Sequence, residues 1–330
     1  MIFWLTLATA TAWLLWYMVR VPGVSYAGTL KPLTDEEQAI AGRLRAHVTS
    51  IASREHNVFH AAELEASALY IERTLAGLGH ATAAQRYTVP ESGLVARPVE
   101  VRNIEVEVRG STRASEIVIV GAHYDSVLGA PGANDNGSGV AAVLELARLL
   151  RDAKPARTLR CVLFVNEEPP YDHTAEMGSR VYARRSRERG ENIVAMFSLE
   201  TIGYYSDAPR SQRYPFPFSL FYPSTGNFIA FVSNLSSRAL LHESLASFRR
   251  HAEFPSEGVA APAFIPGVDW SDHRSFWEQG WRALMVTDTA PYRYPHYHSA
   301  GDTPDKVDYE RLARVVTGLH RMLRDLVQAP

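Results

Sequence analysis

The sequence has a single cysteine, Cys161, so no intramolecular disulfide framework can form, and its place in the apolar run Cys161 to Val165 reads as a buried strand position rather than a reactive thiol. Charge of one sign is also lacking in bulk: the formal net charge is -2, which excludes the basic surplus of a nucleic-acid-binding chain, and nucleic acid is not expected as a partner. There is no internal repeat and no low-complexity tract. What remains is ordinary globular material, 330 residues with 46% hydrophobic and 21% charged, enough for one large catalytic domain and its core.

Charge is absent altogether from Ile2 to Val19, a run that carries Trp4, Trp13, Trp16 and Tyr17. As a helix it would measure about 27 Å, near the hydrocarbon thickness of a bilayer, about 30 Å. No Lys or Arg precedes it, and the small-x-small site Ser25-Tyr26-Ala27 lies beyond Arg20 and Pro22, so a cleaved signal peptide and secretion form the alternative. The division expected is therefore 1–20 as a transmembrane anchor or uncleaved signal segment, 21–33 as a linker, and 34–330 as the catalytic domain. That gives a membrane-anchored protein, and Arg20, the sole basic residue close to the segment, does not fix which side the catalytic domain faces.

Beyond the linker the pattern predicts helices over Asp35–Ile51 and Ala61–Leu78, then strands over Val101–Val108 and Glu116–Gly121. Alternation follows: a helix from about Gly137 to Leu150, a strand Thr158–Val165, a helix from about Met177 to Arg187 and a strand Ile193–Leu199. Asp207 to Phe221 reads as a loop or irregular strand, followed by helices near Asn227–Ser236 and Ala239–Arg249, a strand Ala283–Thr287 and a terminal helix Asp308–Val327. Such alternation implies an α/β fold, a mixed and mostly parallel sheet with helices on both faces.

In open α/β sheets ligands bind at the carboxyl ends of the strands. The residues there are rich in metal-ligating types: His123 and Asp125 after one strand, Glu167 and Glu168 after the next, Glu200 after a third, and Tyr297 and His298 after the last, with the loop Pro131 to Gly139 carrying Asp135. Singly, each is an ordinary surface pair or turn. Their coincidence at successive strand ends points to a metal centre.

The ordered set His123-Tyr124-Asp125-Ser126, Pro131 to Gly139, Glu167-Glu168, Gly178-Ser179 and Tyr297-His298 with Asp302-Thr303 and Asp305 resembles the zinc exopeptidases of metallopeptidase family twenty-eight, over about Asp35 to Leu326. That family includes bacterial aminopeptidases, glutamate carboxypeptidases and relatives of glutaminyl cyclase. The resemblance implies two Zn²⁺ per chain, with Asp135 bridging, His123 and Glu200 completing one site, and Glu168 and His298 the other. Imidazole and carboxylate are apt zinc ligands, and paired metals activate a shared water. Asp125 would fix the His123 tautomer, Glu167 would be the general base, and Tyr297 would donate to the oxyanion. Asp272 and His273 are candidates for substrate binding, and the Asp135–Asn136 peptide is expected to be cis.

Two features depart from the family pattern. Glu200 stands where Asp is usual, and Pro169 to His173 begins a longer link after the paired glutamates, with Asp172 and His173 as rim residues. The function implied is release of N-terminal residues from a peptide substrate, and the family relatives with such anchors imply a catalytic domain outside the cytoplasm. The alternatives are a single-zinc glutaminyl cyclase and a carboxypeptidase, which would need Arg274 or Arg293 to hold the substrate carboxylate.

Overall fold

The run Ile117-Val118-Ile119-Val120 has no polar face, so it needs cover on both sides, and in the computed structural model it lies near the middle of an eight-stranded sheet. The structure describes residues 2–92 and 95–328. In chain order the elements are α1 (Ile2–Val19), α2 (Asp35–Ile51), α3 (Ala61–Gly77), β1 (Ala83–Val89), β2 (Val99–Val108), β3 (Arg113–His123), α4 (Gly139–Leu150), β4 (Arg157–Phe164), α5 (Gly178–Glu188), β5 (Asn192–Leu199), β6 (Ile229–Ser233), α6 (Arg238–His251), β7 (Ser256–Ala260), α7 (His273–Trp277), β8 (Ala283–Thr287), α8 (Ala290–Arg293) and α9 (Tyr309–Gln328). The strand order is β1-β2-β4-β3-β5-β8-β6-β7. The central strands β4, β3, β5 and β8 run parallel to one another, as do β6 and β7, while β1 with β2, β2 with β4, and β6 with β8 are antiparallel. The α/β class and the mixed sheet are as expected.

Helices α2, α3, α4, α6 and α9 cover one face and build the larger core, in which Ile40, Leu44, Val143, Phe231, Leu319 and Met322 are sealed from solvent. The start of α2 is fixed by a capping box, Thr34 accepting from the Glu37 amide while the Glu37 carboxylate accepts from that of Thr34. On the opposite face α5 and α7 cover the middle strands through Phe164, Tyr182, Met196 and Phe276. They do not reach β6 and β7. That end of the face is left to the irregular stretches around Tyr214–Phe228 and Ala261–Trp270, and a large pocket opens there.

Two readings of the sequence are corrected. The stretch near Asn227–Ser236 is a fully buried strand, β6, with a single 3₁₀ turn after it, rather than a helix: a five-residue apolar run is too short for its period to decide. The transmembrane anchor also fails. Ile2–Val19 is helical, yet among the described residues no helix is long and apolar enough to cross a membrane. The last turn of α1 is taken up by the domain: Met18 is buried among Phe218, Phe228 and Met285, Arg238 stacks over the Tyr17 ring and donates to its carbonyl, and His242 bonds the Arg20 carbonyl. What is left of the 18 residues measures less than the hydrocarbon core, and Thr6, Thr9 and Thr11 interrupt its apolar surface. The membrane as partner and the membrane-anchored placement fall with the anchor. The stretch read as a linker lies along α6, with Arg249 donating to the carbonyls of Pro22 and Gly23 and Ser25 accepting from the Ser256 amide.

Candidate metal centre

Strand β3 delivers His123 at its last position, fully buried, with Nε2 turned toward Asp135 Oδ1 at 3.4 Å and Glu200 Oε2 at 3.3 Å. Its Nδ1 lies 3.1 Å from the backbone carbonyl of Asp125. The Asp125 carboxylate, expected to hold this ring, is 3.6 Å away and instead accepts the amides of Glu167 and Glu168. Asp125 thus sets the turn that carries both glutamates, while its carbonyl orients the imidazole.

Asp135 sits in an irregular loop between β3 and α4 and is joined to Asn136 by a cis peptide. Asp302 fixes this loop by accepting the amides of Asn134 and Asp135 at 2.8 and 3.0 Å, with the Tyr294 hydroxyl as its third donor. Asn136 ties the loop to the end of β5: its amide donates to the Leu199 carbonyl, and its Oδ1 accepts from Thr201. Glu200 Oε2 accepts from Ser271 at 2.8 Å. No role for Asp302 or Ser271 was legible in the sequence. The signal for Asp302 was its place in the motif after His298, and that for Ser271 its place directly before the candidates Asp272 and His273; neither spacing said what the side chain holds.

His298, with a left-handed backbone and its ring stacked on Tyr297, turns Nε2 toward Asp135 Oδ2 at 3.1 Å and Glu168 Oε2 at 3.3 Å. Two clusters result, His123–Asp135–Glu200 and Asp135–Glu168–His298, each with its ligating atoms within 4.8 Å of one another. Both oxygens of Asp135 and Oε1 of Glu168 are buried without a hydrogen-bond partner, which is the pattern of oxygens aimed at a cation. Glu167 belongs to neither cluster and lies beside them, Oε2 being 3.7 Å from His123 Nε2.

The electrostatics suit a site for cations. Burial pushes the carboxyl of Glu168 up to about 8 and that of Glu200 up to about 7. It drives Glu167 well above the carboxylate range, Glu200 and Glu168 adding to the effect. Burial opposes the charged forms of Asp135 and His298, but the imidazoles of His123 and His298 beside Asp135 lower it below its ordinary range, and the carboxylates of Asp135 and Glu168 beside His298 raise it to about 10. Three carboxylates and two imidazoles, with Asp135 shared and Glu167 beside them, fit a pair of zinc ions.

The other candidates belong to neither cluster. Asp272 and His273 are fully buried, Asp272 beside Ser179 and His273 donating to the Val268 carbonyl while meeting the Trp277 ring edge-on, so substrate does not reach them in this structure. Asp172 and His173 pair with each other at 2.8 Å on the loop after Glu168, outside both clusters. Tyr297 and Glu200 stand at the inner end of the large pocket, which encloses about 850 Å³ counted out to its open mouth.

The model of peptidase family M28 matches residues 103–322. An Escherichia coli K12 protein called YfbL, itself uncharacterised, is 42% identical over 216 residues, covering 63% of this chain and 66% of its own length. A probable zinc metalloprotease of Leptosphaeria maculans is 26% identical, over 74% of this chain and 62% of its own. The chain thus spans just under two thirds of these relatives. Among solved structures, a zinc aminopeptidase of Bacillus subtilis superposes with a TM-score of 0.67 at 16% identity, covering 88% of this chain and 95% of that one. A glutaminyl cyclase of Fimbriiglobus ruber gives 0.63 at 18%, covering 92% and 99%. At such identities these likenesses concern the fold, and the fold is common to both activities.

Proposed function

The chain belongs to peptidase family M28, and from that premise we propose that it is a co-catalytic dizinc aminopeptidase, its catalytic unit being 34–330. The observation that carries the reading is the pair of clusters sharing Asp135, with a non-ligating glutamate beside both. Zinc held there supplies Lewis acidity, polarising a carbonyl and acidifying water.

The chain's own residues supply the rest. Glu167 takes the proton of the attacking water on a carboxylate oxygen and delivers it to the leaving amine; burial, by raising its pKa, suits it to hold that proton between the two steps. Asp125 holds Glu167 in place through the amide it accepts. Tyr297, whose hydroxyl is kept protonated by burial and by the surrounding carboxylates, donates to the developing oxyanion.

The two alternatives are less well supported. A single-zinc cyclase leaves the cluster of His123, Asp135 and Glu200 without a purpose. A carboxypeptidase requires a free cation, but Arg274 is paired with Asp269 and Glu278, and Arg293 is buried against Gln212 and the Phe228 carbonyl. The test is hydrolysis of leucine and lysine p-nitroanilides beside their N-acetyl derivatives. Turnover of free-amine anilides alone is expected; equal turnover of free and acetylated anilides, or turnover of none of the four, overturns the aminopeptidase reading.

A further inference from the structure

The pocket beside Glu200 exists because of a row of residues that crosses the sheet. Leu199 pairs with Val286, so Glu200, one residue on, stands level with Thr287. Thr287 pairs with Ala230, and Ala230 with Glu257. Residues level with one another on neighbouring strands share a face, so Glu200, Thr287, Ala230 and Glu257 form one line at right angles to the strands, and all four line the pocket. The two middle members are small. They make a trough with a carboxylate at each end, and Tyr214, Tyr222, Phe218, Phe228 and Trp270 give it apolar walls.

Glu257 is the odd residue in these surroundings. It lies on the edge strand β7, about a fifth exposed at its side chain, and burial raises its pKa. Its one neighbouring cation among the described residues, Arg249, approaches no closer than 3.9 Å, because that guanidinium spends donors on the carbonyls of Pro22, Gly23 and Ser256 and on the Ser256 hydroxyl. The hydroxyls of Ser25, Tyr214 and Tyr222 are its other polar neighbours. A carboxylate at the end of an apolar trough, without a close ion pair, is costly unless something positive meets it there.

The spacing says what that is. Three strand steps of about 4.8 Å put the backbone positions of the two glutamates about 14 Å apart along the row. An extended lysine separates its α-amine from its ε-ammonium by about 7 Å, at about 1.25 Å per bond along the chain. A charge-assisted hydrogen bond of about 2.8 Å at each end brings the span to about 13 Å. We infer that the trough is a specificity pocket for a basic N-terminal residue, lysine or arginine, whose apolar stem lies over Thr287 and Ala230 and whose cationic end is received by Glu257. The assignment rests on the aminopeptidase reading, in which the substrate's free amine lies at the Glu200 end.

Lysine and norleucine form a matched pair, alike in stem and differing in the terminal ammonium. With zinc-loaded protein, kcat/KM for lysine p-nitroanilide is expected to exceed that for norleucine p-nitroanilide by at least about tenfold, as an interaction with a charged hydrogen-bonding group gives. In Glu257→Gln the lysine value is expected to fall about 10- to 100-fold with norleucine changing less than about threefold. Titration calorimetry with lysine amide and norleucine amide reads the same discrimination without turnover. Thermal unfolding of the variant within a few degrees of the parent shows that it is folded, and Glu257→Asp, which keeps the charge, is expected to recover part of the lysine preference. If neither anilide is hydrolysed but lysine amide binds in a Glu257-dependent way, the activity assigned above fails and the pocket assignment stands. If norleucine equals or exceeds lysine in the parent, in turnover where it occurs and otherwise in binding, or if Glu257→Gln changes both alike, the pocket assignment is overturned.

Discussion

The two halves of the metal centre share Asp135 and differ in almost everything around it. His123 is fully buried, and Glu200 nearly so, each held by a neighbour: the Asp125 carbonyl on one, the Ser271 hydroxyl on the other. On the other half, His298 has a side chain about a third exposed, on a loop that turns through a left-handed residue, and Oε1 of Glu168 has no partner. One half is therefore built into the sheet and preorganised, while the other closes the site from the solvent side. A tightly held ligand set loses less freedom on binding its ion, so the inner half should keep zinc after the outer half has released it.

The most drastic way to probe this comparison is to remove the group that belongs to neither half. Glu167→Gln is expected to lower kcat about 10²- to 10⁴-fold while both zinc ions stay bound, since the amide cannot accept the proton. Zinc loss from that variant would make Glu167 a ligand. Asp302→Asn comes next: with one acceptor oxygen in place of two, it cannot hold both loop amides, and since it positions the shared Asp135, zinc affinity of both halves is expected to fall about 10- to 100-fold. Ser271→Ala should weaken the inner half alone, by an amount within the same range, in a competition titration against a chelator. An equal effect on both halves would show that the asymmetry described above is not functional.

A smaller effect is expected far from the centre. Glu145 on α4 has no exposed side-chain surface and pairs with Arg43 of α2 and Arg148; burial opposes its charge, but those hydrogen bonds prevail and hold its carboxyl below the ordinary 4.5. A folded pKa below the unfolded one gives stability that is present above about pH 4.5 and lost as pH falls through the folded value. Glu145→Gln is expected to cost about 1–3 kcal/mol at pH 7 with the zinc content of both halves unchanged. Its deficit relative to the parent should shrink in thermal unfolding at acid pH; a deficit constant from pH 7 to 3 would contradict the assignment.

The ligands of both halves were named from the sequence, those of the inner half from the most direct signal. Strands β3, β4, β5 and β8 each carry an apolar run, and a polar residue at the end of such a run marks the carboxyl end of a parallel strand, which is where His123 and Glu200 stand. Helices with a clear apolar period, α2, α3, α4 and α9, were equally readable. The edge strands were not: β1, Ala83–Val89, is mostly exposed and lacks an apolar face, and β7 has five residues with a glycine at its middle. For β6 the length of the run left helix and strand indistinguishable by pattern. The contacts of Asp302, Ser271 and the Asp125 carboxylate join residues far apart in the chain or backbone amides, so no local spacing announces them. The anchor was misread for a related reason: hydropathy records that a segment lacks charge, but whether its end is free or packed under Arg238 and Phe218 is a tertiary fact.

The central claim is that two clusters sharing Asp135 each hold a zinc ion and act together. Elemental analysis of purified protein, of Glu200→Ala and of His298→Ala, each joined to leucine p-nitroanilide hydrolysis, tests it directly. The expected result is close to two zinc ions in the parent and one in each variant, with hydrolysis strongly reduced in both variants. A parent that carries one zinc, is unaffected in metal content by Glu200→Ala, and converts N-terminal glutamine to pyroglutamate while ignoring aminoacyl substrates would contradict it.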